Sequence, residues 1–595
     1  MTGIVARAGI SRVGLLQPEV SVLVALLGGL LVQSLLFLVR IPCTPYPMWV
    51  SFGAVGLLLA VCDRRGFLRF VVLTAVVLGL TAFTYSYTGP DAVGYHFPQQ
   101  ILLREGWNPI YCSTIGQFDA IVGEFEFSRI HALFLPNLNA LCGALMGLST
   151  GLMVADSFLN YCIFLVLLRV AYRFAGFVWQ SGSWASALFA LCIAVQTKIT
   201  SFLVGQVDYL PYGTLAVALF SAYMWYRGRE RRELVLLCLA LTVGALVKTT
   251  GLVCCGLVGM LLLLAAWRDR RIWIAAFVVL ALVLIIGAHP LLTSSYHYKC
   301  PFYPTMSFSA DIPAIDITDD FTGNADALGM GWLSRVAYAW VSPVLVVAVK
   351  SALSHAPFAP EFSVAGGVGG HGTFFRILLG LSVIAFCLSR KTAVTFLAAF
   401  VFLLSNLAPV KYIGYGRYFP QIWLIPFLAA YNLMYASRFG GWRLPGTNVP
   451  AFRVGCGAVL ACWVAFVGVR TVAYQGRMLR LEKLRQGGLK TIANGSRESL
   501  PEPMRRSLPV HYRALCGGVT LAGERRGAQP LYGELNGVGK IVVSADPRVN
   551  EVVAEWDRRY PVVENWRSLA GFGWTTAYSD LPEIVRSGKK GGIVK

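Results

Sequence analysis

Thirteen stretches of this chain are each apolar over about 17 residues or more, the working minimum for a helix that crosses a bilayer. They fall near 19–39, 46–62, 68–87, 154–173, 183–204, 211–227, 233–248, 249–266, 272–292, 374–389, 392–408, 415–435 and 453–473. Only 14% of the 595 residues are charged, against roughly a quarter in soluble domains, and the mean hydropathy is +0.62. A soluble multidomain enzyme, a disordered chain and a collagen-like fibre are thereby excluded. The expected fold is an all-α polytopic membrane protein. Its first apolar run is long enough to span, and is read as a retained helix rather than a cleaved signal.

The net charge of +21 comes from 51 basic and 30 acidic side chains. The basic residues sit in short clusters between apolar runs, a pattern that sets membrane orientation and needs no nucleic acid as partner. Arg7 and Arg12 precede the first run, and Arg64 and Arg65 separate the second and third. Arg227, Arg229, Arg231 and Arg232 separate the sixth and seventh, and Arg268, Arg270 and Arg271 follow the eighth. Arg390 and Lys391 follow the tenth, and Arg438 and Arg443 follow the twelfth. All share one side if the N-terminus is cytoplasmic. Two further apolar stretches, 131–150 and 333–350, break this parity if either crosses alone. They are therefore read as helices lying on the outer membrane surface, the alternative being that both cross.

Three outer features follow: a loop at 88–153, a loop at 293–373 and a tail at 475–595. The tail has 20 basic and 12 acidic residues. Long domains translocate largely regardless of charge, so this does not disturb the orientation. A β-like run from Lys540 to Val543 and helix-like stretches near 549–559 and 580–587 predict a small mixed α/β extracytoplasmic domain. Most of the 14 cysteines lie in apolar runs, where a thiol is a small hydrophobe. Cys112 and Cys300 lie outside those runs, but sequence does not show whether they are close enough for a disulfide.

A charge at membrane depth costs a few kcal/mol, so ionisable residues at the ends of spans are the informative ones. Four converge on the outer side. Asp91 follows the third run in Gly89-Pro90-Asp91, where Gly-Pro ends the helix and sets the acid in a turn. Its position alone slightly favours a cap for the next helix. Asp208 lies in the turn Gly205-Gln206-Val207-Asp208-Tyr209. Lys248 marks the tip of a helical hairpin that begins and ends at arginine clusters; it suits a lipid phosphate, or it snorkels to water. Arg417 stands beside Tyr418 at the outer end of the twelfth run. Its guanidinium suits bidentate phosphate binding, and an interfacial anchor is the alternative. Two carboxylates and two cations on one face suit a reaction that deprotonates an acceptor and expels a phosphate.

The segment Pro90-Asp91-Ala92-Val93-Gly94-Tyr95-His96-Phe97-Pro98 resembles the first outer loop of the GT-C glycosyltransferases. Among them it is most similar to bacterial relatives of the protein O-mannosyltransferases and of the lipid A aminoarabinose transferase. The Asp208 turn resembles their second acidic turn, and the Lys248 tip their lysine-containing tip. Cys300-Pro301-Phe302-Tyr303-Pro304 is similar to an N-P-x-x-P stretch, with Cys300 replacing asparagine. Gly366-Gly367-Val368-Gly369-Gly370 and the Arg417-Tyr418 pair also have counterparts. The resemblance covers about 68–435. It departs at 1–67, where two additional N-terminal spans precede the acidic loop, and beyond 475.

The resemblance implies a catalytic membrane domain over 68–474 and inverting transfer of a sugar from a polyprenyl-phosphate carrier at the outer face of the cytoplasmic membrane. It implies Asp91 as general base on the acceptor and Asp208 as an orienting carboxylate. Lys248 and Arg417 would stabilise the departing phosphate, with His131 and Lys198 as weaker candidates, while Tyr95 and His96 shape the loop. The partners implied are the bilayer, the lipid-linked sugar and an acceptor glycan, lipid or protein. No nucleotide or other cofactor is required. A divalent metal is compatible but not favoured: Asp316, Asp319 and Asp320 lack the regular glycine-containing spacing of a calcium loop. The competing expectations are a lipid-linked polysaccharide polymerase or ligase, a transporter, and a non-catalytic envelope scaffold.

Overall fold

The structure is a computed structural model that describes residues 17–41, 46–83, 155–195, 209–247, 249–287, 295, 299–300, 373–388, 392–407, 420–436, 454–465 and 467–469, with short strands at 344–345, 368–369, 533–535 and 539–541. Its described part is almost wholly helical. The helices are α1 (Pro18–Leu38), α2 (Tyr46–Cys62), α3 (Arg64–Phe83), α4 (Ala155–Trp179), α5 (Ser183–Ala194), α6 (Tyr209–Gly228), α7 (Arg231–Val247), α8 (Thr249–Ala265) and α9 (Arg270–Ile286). They continue with α10 (Thr373–Leu388), α11 (Thr392–Leu407), a 3₁₀ turn Pro420–Trp423 leading into α12 (Leu424–Ala436), and α13 (Val454–Val469). Every one of the thirteen apolar runs coincides with a described helix. Two of these, Pro18–Leu38 and Phe158–Trp179, are long and apolar enough to cross a membrane by length and composition.

The boundaries depart from the pattern in two instructive places. The third helix starts at Arg64 rather than 68, because Asp63 alone links α2 to α3 and caps the new helix, accepting from the Arg65 amide at 3.1 Å. The fifth ends at Ala194 rather than 204, just ahead of the polar Gln196, Thr197 and Lys198.

Residues Val344–Leu345 form a strand antiparallel to Val368–Gly369, which corrects the expectation of helix at those two positions of 333–350. The backbone carbonyls and amides of the glycine-rich stretch pair with β-branched Val344 instead. The rest of 333–350, and 131–150, lie outside the described residues. In the tail, Gly533–Leu535 pairs antiparallel with Gly539–Ile541, overlapping the predicted β-run. Cys300 is buried and free, and Cys112 lies outside the described residues.

Small residues sit where the helices meet most closely. Ser51 of α2 donates to the Ala25 carbonyl of α1 at 2.7 Å, beside Gly28. Around them an aromatic core forms from Phe174 and Trp179 of α4, Phe189 of α5, Phe220 of α6 and Tyr431 of α12. The Phe174 and Phe220 rings stack at 4.3 Å. The Tyr431 hydroxyl donates to the Ala185 carbonyl at 2.6 Å, which gives this buried polar group its partner.

Only Lys248 separates α7 from α8 in sequence. A Cβ on Gly251 would overlap the carbonyl oxygen of Gly244, and a Cβ on Gly244 would lie 2.7 Å from Cys255 Sγ and 2.8 Å from Thr214 Oγ1. Gly251→Ala is therefore expected to force the two helices apart and to cost about 1–3 kcal/mol, the usual range for overpacking. The check is the unfolding midpoint of the purified chain in a mixed-micelle denaturant titration. A midpoint equal to wild type would show that the hairpin has slack.

Candidate functional site

The residues nominated from sequence, Asp91, Tyr95, His96, His131, Lys198, Asp208, Lys248, Arg417 and Tyr418, lie outside the described residues. The helix ends that flank several of them are described. Asp208 immediately precedes α6, and Lys248 separates α7 from α8. Arg417 comes three residues before the 3₁₀ turn, and Lys198 follows α5 by four.

These ends are packed together around the first turns of α6. The Tyr209 hydroxyl donates to the Ala194 carbonyl at 3.0 Å, and the Tyr212 hydroxyl to the Ile193 carbonyl at 2.7 Å. Both phenols are fully buried, so each bond satisfies a group that would otherwise be left without a partner. They fasten the start of α6 to the end of α5, from which the Lys198 segment departs. On another side, the Pro211 side chain lies 3.8 Å from where a Cβ on Gly251 would stand. α6 packs along both helices that flank Lys248. Gly213 lies against Ile163 of α4, and the Tyr209 ring faces Phe164 at 6.5 Å. The 3₁₀ turn that follows Arg417 packs on α6 as well. Four chain segments separated in sequence thus meet on one helix. The flank of Asp91, the end of α3 at Phe83, belongs to a helix that packs on α1, α2 and α4.

Compared with family models, curated proteins and solved structures, the chain matches none. Among the described residues no group of three or more His, Cys, Asp and Glu side chains gathers as a metal site would, and Asp316, Asp319 and Asp320 lie outside them.

A second arrangement was not anticipated from sequence. Glu19 in the first turn of α1 and Glu233 in the first turn of α7 are 1% and 2% exposed. Arg173 of α4 reaches both, with Nη1 3.4 Å from Glu19 Oε1 and 3.2 Å from Glu233 Oε1. Arg169 Nε pairs with Glu19 Oε2 at 3.1 Å, and Arg232 Nε with Glu233 Oε1 at 2.9 Å. The sequence reading used the basic clusters for orientation alone. The available signal was an acid at the head of each of two apolar runs and two arginines, one turn apart, near the tail of a third.

Through this cluster the starts of α1 and α7 and the end of α4 share one pole of the bundle. Arg229 extends it by pairing with Asp269, between α8 and α9, at 3.2 Å. Of the arginines in the sequence's basic clusters, Arg229 and Arg232 take part in these ion pairs.

Proposed function

We propose that the chain is an integral membrane glycosyltransferase that moves a sugar from a polyprenyl-phosphate carrier to an acceptor. It works with α6 as the organising helix of the site. One observation carries this reading: the described chain segments next to Asp208, Lys248, Lys198 and Arg417, far apart in sequence, pack on one helix. A frame locked by buried hydrogen bonds and glycine contacts supports a site that holds donor and acceptor in register. On this reading the nearby cations stabilise the departing phosphate, and Asp91 takes the acceptor proton.

The outer faces of the helices support the membrane part of the reading. Leu57, Leu58 and Val61 of α2, Phe277 and Leu280 of α9, and Phe396 of α11 are all exposed, Phe277 to 72%. Soluble monomers rarely present contiguous apolar surface of this extent. Helices in lipid associate through close packing at small residues, as Gly28, Gly213, Gly244 and Gly251 do here. The expected location is the bacterial inner membrane, with a cytoplasmic N-terminus and the 475–595 segment outside.

The test is reconstitution of the full chain in proteoliposomes with an envelope extract as acceptor source and a panel of radiolabelled polyprenyl-phosphate sugars. Release of free polyprenyl phosphate from one donor is expected. Donors that all stay intact, with the protein folded and inserted, would overturn the proposal.

A further inference from the structure

We infer that the loops joining α6 to α7 and α8 to α9 form a binding site for anionic phospholipid headgroups. The inference rests on the membrane reading above and is independent of the glycosyl transfer. Arg229 and Arg268 in these two loops, and Arg227, Arg270 and Arg271 in the helix turns that adjoin them, are all exposed. The Arg229–Asp269 pair ties the loops to each other, so the basic side chains form one surface on two connected turns.

The loops also hold aromatic rings in a particular way. The Arg229 guanidinium lies over the Trp225 and Tyr226 rings, 4.7 and 5.3 Å from their centroids. That of Arg268 lies 4.9 Å over Trp267. Trp273 donates its Nε1–H to the Trp267 carbonyl at 2.8 Å, which fixes its ring across the turn although it is 54% exposed. Arginine stacked on an aromatic face still presents edge donors to a phosphate; Arg229 commits Nη1 to Asp269. Exposed tryptophan beside exposed arginine is the composition of a lipid headgroup boundary. The helices α7 and α9 also begin here, and the positive ends of their dipoles favour an anion.

The adjoining helix faces decide between a lipid and a soluble phosphate. Directly along α8 and α9 from the loops, Leu261, Leu264, Ile274 and Phe277 are exposed. They give acyl chains an apolar surface contiguous with the arginines. A free phosphate has no use for that surface.

The experiment is native mass spectrometry of the purified full chain released from nanodiscs containing equal phosphatidylglycerol and phosphatidylcholine. Wild type is expected to retain phosphatidylglycerol preferentially. The Arg268→Gln/Arg270→Gln/Arg271→Gln variant is expected to lose at least tenfold of that preference, since each basic side chain at an anionic surface is worth about fivefold. A matched control, Arg64→Gln/Arg65→Gln/Arg69→Gln, removes three exposed arginines elsewhere in the chain and is expected to keep the preference. Equal loss in the control would replace the site with diffuse charge attraction and overturn the inference. So would wild type with no preference, or preference abolished by millimolar inorganic phosphate. Carbonate extraction of cell membranes separates these outcomes from failure of the membrane reading: a chain released to the supernatant fails that reading itself.

Discussion

Asp91→Asn is expected to slow sugar transfer by about a hundred- to ten-thousand-fold, the contribution typical of a positioned general base. The change is nearly isosteric, so it removes the proton acceptor while keeping the size of the side chain. On the proposed reaction the acceptor hydroxyl loses its proton as it attacks the anomeric carbon, the bond from that carbon to phosphate oxygen breaks, and the carrier leaves as polyprenyl phosphate. Because the loss concerns the chemical step, kcat should fall far more than donor KM changes. Asp208→Asn is the internal comparison: an orienting carboxylate should raise KM as well as lower kcat. A steady-state assay of polyprenyl phosphate release measures both. Asp91→Asn with wild-type kcat would remove Asp91 as the base and transfer that role to Asp208.

Arg173→Ala carries the largest expected effect on stability, about 3–5 kcal/mol, the usual cost of breaking a buried ion pair by removing one partner. The loss leaves Glu19 with Arg169, whose side chain is 49% exposed, and Glu233 with Arg232, at 24%. Pairs with such exposed partners contribute little, so two carboxylates remain buried and undercompensated. A rescue distinguishes charge from shape. Glu19→Leu/Arg173→Met/Glu233→Leu removes all three buried charges at similar volume and is expected to return stability to within about 1 kcal/mol of wild type or above it. Unfolding midpoints in mixed micelles give both values. A midpoint for Arg173→Ala equal to wild type would mean that the cluster contributes nothing to holding α1, α4 and α7 together.

The helices were legible because each is a long apolar run, and a run of that length has few other ways to satisfy its backbone. What the runs could not convey is where one helix hands over to the next. Asp63 makes a whole connection by itself, because its side chain caps α3 as soon as α2 ends. Periodicity carries no trace of such a junction. The pairing of Val344–Leu345 with the glycine-rich stretch was hidden for a related reason: a two-residue ladder depends on a partner more than twenty positions away, while the local composition reads as an apolar helix.

The site shows the same division. Asp208 and Lys248 stand out as charges at the ends of runs, but the packing of α6 on both helices of the hairpin, which gathers their flanks, depends on tertiary contacts that no single run encodes. Glu19, Arg173 and Glu233 were visible as residues and invisible as a cluster, because each alone resembles a charge on its way to water. Arginines counted for orientation are also partners for buried acids, and only packing separates the two roles.

The cluster also has a history within each molecule. Glu19 is made early, and its nearest partner, Arg169, is 150 residues further along. At a synthesis rate of about 5–20 residues per second, roughly 8–30 s pass before that arginine exists. Through that interval α1 carries a carboxyl group with neither Arg169 nor Arg173 yet made. Glu19 therefore cannot form these pairs until the fourth helix has been made, and Glu233 on the seventh joins the cluster later still. A nascent chain that stops short of Arg169 thus carries the Glu19 carboxyl without either of its arginine partners.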